Sequence, residues 1–488
     1  MNGVPPDVPA TQSSGLHRRL GVFEVTALSV GFMGPVMAMS LNGIGVAGLV
    51  GASVPLVFVI AFAGVGAVAY GFVRLTSYFN HAGSIYGLVG ITVGPRAGFF
   101  GGWALLGTYV FFAACTMASC GVFFDAFLQQ LGITGTPNWL IVALLAAVLV
   151  LALNLRESTV TANVLLAIGG IGIAAMLVLA AVIFGRAATG TAPRGQSIDV
   201  VSTFTAGDVN IGTLMAASVF AFLSWAGFES CSSLGEETEN PRRNIPRAIA
   251  GAVILGGLLY VLMMFAQSVG FGTDAAGIEA FAGSNSSITD LAAMYVGEWF
   301  AVILAFCALA VALASTIGST AAAGRLLYAL ARDGFGPKPL GVLSKHGVPG
   351  NAVTTVVVLS FALCAGLGFA GVGAFDAYYW YATIAVLCML VAYSVASAGV
   401  IYFTLKGKNT IPKWEIVIPV LGIGYLLYVY TQQLGAEFPY TLFPWIAGAW
   451  CVIGLLVIFL APSIAQRVGA HLTEELGEAD TAPAGKES

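Results

Sequence analysis

The stretch IGTLMAASVFAFLSWAGFESCSSLGEETENPRRNIPRAI, residues 211–249, decides how the rest of the chain is read. Its apolar first part is long enough to cross a bilayer, which takes roughly 20 residues at 1.5 Å rise each. Yet it carries Gly227 and a carboxylate, Glu229, near its middle. An ionisable side chain at mid-membrane costs a few kcal/mol even on lenient insertion scales, so it normally faces a polar cavity or a functional path. Lipid offers no partner to the backbone groups that a break at Ser224-Trp225-Ala226-Gly227 would free. Irregular backbone at that depth must line an enclosed or water-filled space. The segment is therefore expected to be a discontinuous helix at a binding site.

The composition around it is that of a membrane protein. Of 488 residues 58% are hydrophobic and 9% charged, with a mean hydropathy of +0.92. The formal net charge of −4 is small and the acids sit in loops and tails, so no nucleic-acid partner is expected. The cysteines (Cys115, Cys120, Cys231, Cys307, Cys364, Cys388 and Cys451) lie in apolar segments without paired loop spacing, as small buried hydrophobes do. His17, His81, His346 and His471 fall in tails or loops, so a haem or metal centre inside the membrane lacks its usual ligands and no cofactor is expected. The N-terminus is polar, and the apolar run after it is longer than a signal peptide's core; no cleaved targeting peptide is expected.

Apolar runs predict twelve spans, at residues 22–46, 50–73, 98–128, 138–154, 160–185, 211–235, 247–271, 294–327, 351–370, 376–404, 414–433 and 441–461. With a cytoplasmic N-terminus, the loops after even-numbered spans are cytoplasmic too and should collect Lys and Arg. Of the 19 Lys and Arg, only Arg186 and Arg194 fall on the other side. Both termini are then cytoplasmic, and the acidic tail from Arg467 onward is expected to be disordered.

The first span also has an odd interior: FEVTALSVGFMGPVMAMSLNGIG places Gly31, Gly34 and Pro35 in its middle, where proline removes a backbone donor and clashes with the preceding turn. Interrupted helices at corresponding positions of two halves point to an inverted-repeat transporter with its site at the midplane. The plainer alternative is that Gly and Pro merely ease helix packing. Tyr109, well inside the third span, either turns its hydroxyl to a cavity or serves packing. After the sixth span, Glu236-Glu237-Thr238-Glu239-Asn240-Pro241 ends the helix, and Pro246 is expected in the first turn of the next. On the eighth span Ser315, Thr316, Ser319 and Thr320 recur at helical spacing. They bond back to their own helix, or they offer oxygen ligands to a coupling cation. Tyr378, Tyr379, Trp380 and Tyr381 open the tenth span as an aromatic belt, or one of them closes the site from outside.

The run GFESCSSLGEETENPRRNIPRAI, residues 227–249, closely resembles the sixth-helix signature of the amino acid, polyamine and organocation permeases. Arg325-Leu326-Leu327-Tyr328 with Ala331-Arg332-Asp333-Gly334, and Ala82-Gly83-Ser84-Ile85-Tyr86, support the resemblance, which covers about residues 20–460. It implies an all-α polytopic protein of twelve transmembrane helices: a five-plus-five inverted repeat (21–205 and 206–405), two extra helices (406–462), and tails at 1–20 and 463–488. It further implies a secondary transporter with alternating access. In relatives the break in helix one binds the substrate carboxylate, and that in helix six receives the amine and side chain. The matching positions are Gly31, Phe32, Met33, Gly34 and Pro35, then Ser224, Trp225, Ala226 and Gly227, with Tyr109 beside them. Helix N-termini favour an anion and C-terminal carbonyls an ammonium, which gives the same assignment a physical basis. The chain departs from the commonest Gly-Ser-Gly pattern in helix one, having Gly-Phe-Met-Gly-Pro. Ala312-Leu313-Ala314-Ser315-Thr316 resembles the cation-site pattern of sodium symporters sharing this fold, which implicates Ala312, Ser315 and Thr316 in Na+ binding. Glu229 offers a proton route instead, because protonation relieves the cost of a buried charge; the alternative for Glu229 is a permanently hydrogen-bonded helix clamp.

The expectation is thus an amino-acid symporter of the cytoplasmic membrane, driven by H+ or Na+, monomeric or homodimeric. A polyamine or other organic amine carrier is the alternative, followed by a channel or receptor. The spans hold no nucleophile-base-acid set, so an enzyme is not expected.

Overall fold

The computed structural model describes residues 20–79, 84–156, 159–234, 238–332, 334, 336–344, 347–406 and 411–460. The four histidines, Glu236, Glu237, Asp333, the motif residues Ala82 and Gly83, and both tails lie outside them. Among the described residues the architecture is helical, the one β-type contact being an isolated bridge between Leu20 and Thr238. Among the described residues ten stretches are long and apolar enough to cross a membrane. The first of these, Val22–Tyr78, turns at Gly51 (φ 60°) and makes two passes, and the broken sixth span adds one more, giving the expected twelve.

Span 1 comprises helices Val22–Met33 and Pro35–Val50, and span 2 is Val54–Tyr78. Spans 3, 4 and 5 are Pro95–Gln130, Trp139–Arg156 and Thr159–Ala188. Span 6 begins as helix Ile211–Leu223, its N-terminus capped where Asn210 Oδ1 accepts from Thr213 N–H at 2.9 Å. Spans 7 to 10 are Pro241–Phe271, Glu298–Arg332, Gly350–Phe369 and Ala374–Lys406, and spans 11 and 12 are Val417–Gln433 and Phe443–Leu460.

Two expectations need correction. Span 7 starts at Pro241, not near Pro246, which lies inside the helix. Asn240 holds a left-handed turn (φ 43°), so Pro241 takes the first position, where a missing N–H costs nothing. Span 8 starts at Glu298, not 294, because the connection from span 7 folds into two short helices, Ala275–Ala282 and Ser287–Tyr295. These cover the second half of span 1: Ser287 Oγ donates to Ser40 O at 3.1 Å, and Gln267 Nε2 of span 7 to Met39 O at 3.0 Å.

Span 3 is the central post, packed along both span 8 and span 10. Nearly every residue from Gly98 to Phe123 is buried. Span 12 is fastened to it by two tryptophans that exchange hydrogen bonds: Trp103 Nε1 donates to Trp450 O at 2.7 Å, and Trp450 Nε1 to Trp103 O at 2.9 Å, with the rings stacked 4.7 Å apart. The 3-10 turn Lys413–Ile416 that leads into span 11 is tied to span 2 by Arg74, whose guanidinium contacts both carboxylate oxygens of Glu415, at 2.5 Å and 2.6 Å, while the Tyr70 hydroxyl donates to the same carboxylate. All seven cysteines are buried as free thiols.

Candidate functional site

Both predicted interruptions are present, and they meet. In span 1 the break is a single residue. Gly34 adopts φ 62°, ψ 57°, a left-handed conformation that closes the first helix and is nearly free of strain only for glycine. Pro35 then opens the second helix, and by helix geometry the amides of the following residues, Val36 and Met37, lack an intrahelical acceptor. In span 6 the helix ends at Leu223, residues 224–229 form successive turns with Gly227 at φ 94°, and a 3-10 segment, Ser230–Leu234, follows. Its last carbonyls are partly used: Phe222 O accepts from Trp225 N–H at 3.1 Å, and Leu223 O from Ala226 N–H at 2.9 Å. Each carbonyl keeps a second lone pair, so this helix end remains a negative pole.

Phe32 joins the two breaks. Its ring lies where a Cβ on Gly227 would stand, and a Cβ on Gly318 of span 8 would come within 2.9 Å of it. The same ring stacks on Phe112 at 6.2 Å and meets Tyr109 edge-on at 6.1 Å. Two facing glycines thus make a slot for one aromatic ring between spans 6 and 8, with span 3 behind it. Met33 and Gly34 stay at the break, where the Ser315 hydroxyl of span 8 comes close to Gly34. Gly31 packs against Leu166 of span 5.

Glu229 is fully buried, and both of its oxygens accept from phenols. The Tyr109 hydroxyl donates to Oε1 at 2.9 Å, and the Tyr393 hydroxyl of span 10 to Oε2 at 2.5 Å. The carboxylate therefore ties span 6 to spans 3 and 10, on the side of the breaks nearer the N-terminal face of the molecule. Phe72 and Phe228 lie edge-on to Tyr393 and complete an apolar shell.

Trp225 contributes its backbone to the break, but its ring faces away from span 3. It stacks on Phe62 of span 2 at 6.0 Å and meets Tyr260 of span 7 edge-on at 5.1 Å. Ser224 is engaged by Asn42 of span 1, whose Nδ2 donates to Ser224 Oγ at 2.8 Å. An apolar groove of about 390 Å³, lined by Val59, Phe62, Leu258 and Leu262, opens on the exposed face of spans 2 and 7.

The two hydroxyls expected at a cation site point differently. Ser315 Oγ donates to Phe32 O at 3.3 Å and so reaches the break in span 1. Thr316 Oγ1 donates back to Ala312 O at 2.9 Å and lies 4.0 Å from Cys120 Sγ of span 3. Tyr378, Tyr379 and Tyr381 are buried, not a belt at the surface. Asn42 and Tyr393 were not expected from sequence. The available signal was a lone amide in MAMSLNGIG and a lone phenol in LVAYSVAS, each needing a partner once buried.

The profile of the family described as Amino acid permease matches residues 20–471. A low-affinity putrescine importer of Escherichia coli is 27% identical over 68% of this chain and 70% of its own length. A branched-chain amino acid permease of Lactococcus lactis is 25% identical over 89% of this chain and 92% of its own. A methylthioribose transporter of Bacillus subtilis is 24% identical over 92% and 94% respectively.

Proposed function

The chain belongs to the amino acid permease family, and from that premise we propose a secondary transporter that carries a neutral amino acid across the cytoplasmic membrane by alternating access. The observation that carries this reading is the meeting of two broken helices around Phe32, with Glu229, the buried acid beside them among the described residues, already bonded by two phenols. The start of helix Pro35–Val50 offers amide donors to a carboxylate, and the end of helix Ile211–Leu223 offers carbonyls to an ammonium. Phe32 and Phe112 give the side-chain end an apolar wall.

A putrescine-type substrate is the second reading, favoured by the name of one relative. A diamine carries two cationic ends and needs two anions or carbonyl clusters. Among the described residues the buried carboxylates are Glu229 and Glu415. The first is capped by two phenols and the second is paired with Arg74. A zwitterion fits this inventory better. The skew of Lys and Arg toward the face of the N-terminus supports cytoplasmic termini, and the two breaks fit halves at 21–205 and 206–405.

Two residue sets serve a coupling ion: Glu229 for H+, and Ser315 with the carbonyls of Phe32 and Ala312, and Thr316, for Na+. Uptake of labelled amino acids and putrescine into proteoliposomes, with sodium and pH gradients imposed separately, tests the whole assignment. Saturable amino-acid uptake with counterflow is expected. Putrescine uptake without amino-acid uptake would replace the substrate, and flux without counterflow would indicate a channel. If sodium drives uptake, replacing Ser315 and Thr316 together by Ala raises the half-saturating sodium concentration by roughly tenfold, the loss of about 1.4 kcal/mol of ion binding. An unchanged sodium response removes these residues from coupling.

A further inference from the structure

The segregation of basic residues along the chain has two exceptions: of 19 Lys and Arg, only Arg186 and Arg194 fall on the face opposite the N-terminus. The fold brings both to one place. Arg186 stands in the last turn of span 5, and Arg194 follows in the connection to span 6. The Arg194 backbone N–H donates to Gln196 Oε1 at 2.9 Å, and Gln196 Nε2 donates to Gly270 O at 2.9 Å, so this connection is pinned to the end of span 7. The Tyr295 hydroxyl donates to the same carbonyl at 3.1 Å, and both guanidinium groups lie close enough to act on that phenol. Among the described residues neither arginine forms an ion pair. Asp199 and Asp274, the acids closest in sequence to Arg194 and Gly270, are engaged in helix caps, accepting from Ser202 N–H at 3.0 Å and from Gly277 N–H at 3.1 Å.

The apolar groove of spans 2 and 7 leads toward this pair. It follows span 7 from Leu258 past Val261 and Leu262 to Phe265, about 10 Å of helix in the half of the span on the same side. There the Phe265 ring meets that of Phe184 in span 5, 5.1 Å away and two residues before Arg186. Val59, Leu258 and Leu262 are 38%, 61% and 40% exposed, and the lining offers no polar side chain. At that depth in a bilayer the surroundings are lipid hydrocarbon. The floor of the groove is Phe62. Its ring passes so close to Gly257 that a Cβ there would come within 2.3 Å, and on its other side it stacks on Trp225. An occupant of the groove therefore lies one ring away from the break in span 6.

We propose that this face binds one anionic phospholipid of the adjacent leaflet, with an acyl chain laid in the groove and the phosphate held by Arg186 and Arg194. A guanidinium presents forked donors that match phosphate oxygens, and basic groups at the ends of membrane helices select anionic head groups. A zwitterionic lipid fills the same groove but brings an ammonium toward two cations, so the site discriminates by net head-group charge. The proposal requires that the chain span a bilayer and makes no use of what it transports, so it stands or falls separately from the substrate reading.

Phosphatidylglycerol carrying a diazirine on one chain, at trace level in phosphatidylcholine nanodiscs that hold the full chain, tests this. It is expected to crosslink saturably to residues 59–62 and 257–265. Unlabelled phosphatidylglycerol should compete about 30-fold better than phosphatidylcholine, about 5-fold for each arginine. Arg186→Ala and Arg194→Ala should each remove about 5-fold of that preference and the double variant all of it, while Leu258→Trp, at a lipid-exposed position, should fill the groove and abolish the crosslinks. Equal competition by the two lipids in the parent, or an undiminished preference in the double arginine variant, overturns the proposal. So does competition by glycerol phosphate alone, which would mark a free-anion site without the groove. Crosslinks spread evenly over the lipid-facing surface would leave annular lipid only and overturn it too. If discs holding two copies give no lipid crosslinks here and Leu258→Trp separates the copies, the groove belongs to a second copy and the proposal falls.

Discussion

A Gly227→Val variant is expected to lose transport about 100-fold or more, measured as initial uptake into proteoliposomes at matched protein content. Two costs coincide at this position. A φ of 94° is strained for any side chain by about 1–3 kcal/mol, and a branched one also drives into the Phe32 ring, an overpacking cost of typically ~1–3 kcal/mol. Their sum falls on the turn that shapes the centre of the molecule. The two contributions separate with Gly227→Ala, alone and combined with Phe32→Ala. Removing the ring relieves the collision but not the backbone strain, so the double variant should recover part of what the single one loses. Strictly additive losses would mean that Gly227 and Phe32 do not share a slot.

Glu229→Leu is expected to be comparably severe. It leaves the Tyr109 and Tyr393 hydroxyls buried with no acceptor, at about 1–3 kcal/mol each, and it uncouples span 6 from spans 3 and 10. Uptake should fall about 100-fold and the thermal unfolding midpoint should drop with it. Glu229→Gln is the informative companion. Its amide has the same shape and can pair with both phenols, so the fold and substrate counterflow should survive. If the carboxyl carries the coupling proton, the pH dependence of net uptake disappears in this variant. If the pH dependence is unchanged, Glu229 is a fixed clamp and the proton travels elsewhere or not at all.

The number of spans, the two interruptions and the burial of the cysteines were legible because each follows from local composition: long apolar runs, glycine and proline inside them, thiols without polar neighbours. The breaks could be placed at Gly31–Pro35 and Ser224–Gly227, because glycine and proline inside an apolar run work against a continuous helix; the left-handed turns at Gly34 and Gly227 fix the residues. Side-chain direction was not legible. Trp225 sits in the break, but the turns after Leu223 rotate its ring toward spans 2 and 7, a rotation that no residue pattern encodes. Ser315 and Thr316 are adjacent on a helix and therefore stand about 100° apart, so one hydroxyl reaches Phe32 O and the other its own helix at Ala312 O. The partners of Asn42 and Glu229 lie 120 or more residues away in the chain, beyond the reach of any window. The start of span 7 was misplaced because PRRNIP offers two prolines, and only the left-handed Asn240 selects the first. The short helices after Phe271 were missed because GTDAAGIEAFAGSNSSITD has the small polar character of a loop.

The paired tryptophans that fasten span 12 to span 3 have a use beyond holding the periphery in place. Each indole donates to the other residue's carbonyl across a 4.7 Å stack, so neither helix can slide or turn without losing two hydrogen bonds together. The last pass is in effect a splint on the central post. A spectroscopic label near Leu460 would therefore serve as a stationary reference mark, against which the travel of a second label on the first or sixth pass could be read in ångströms.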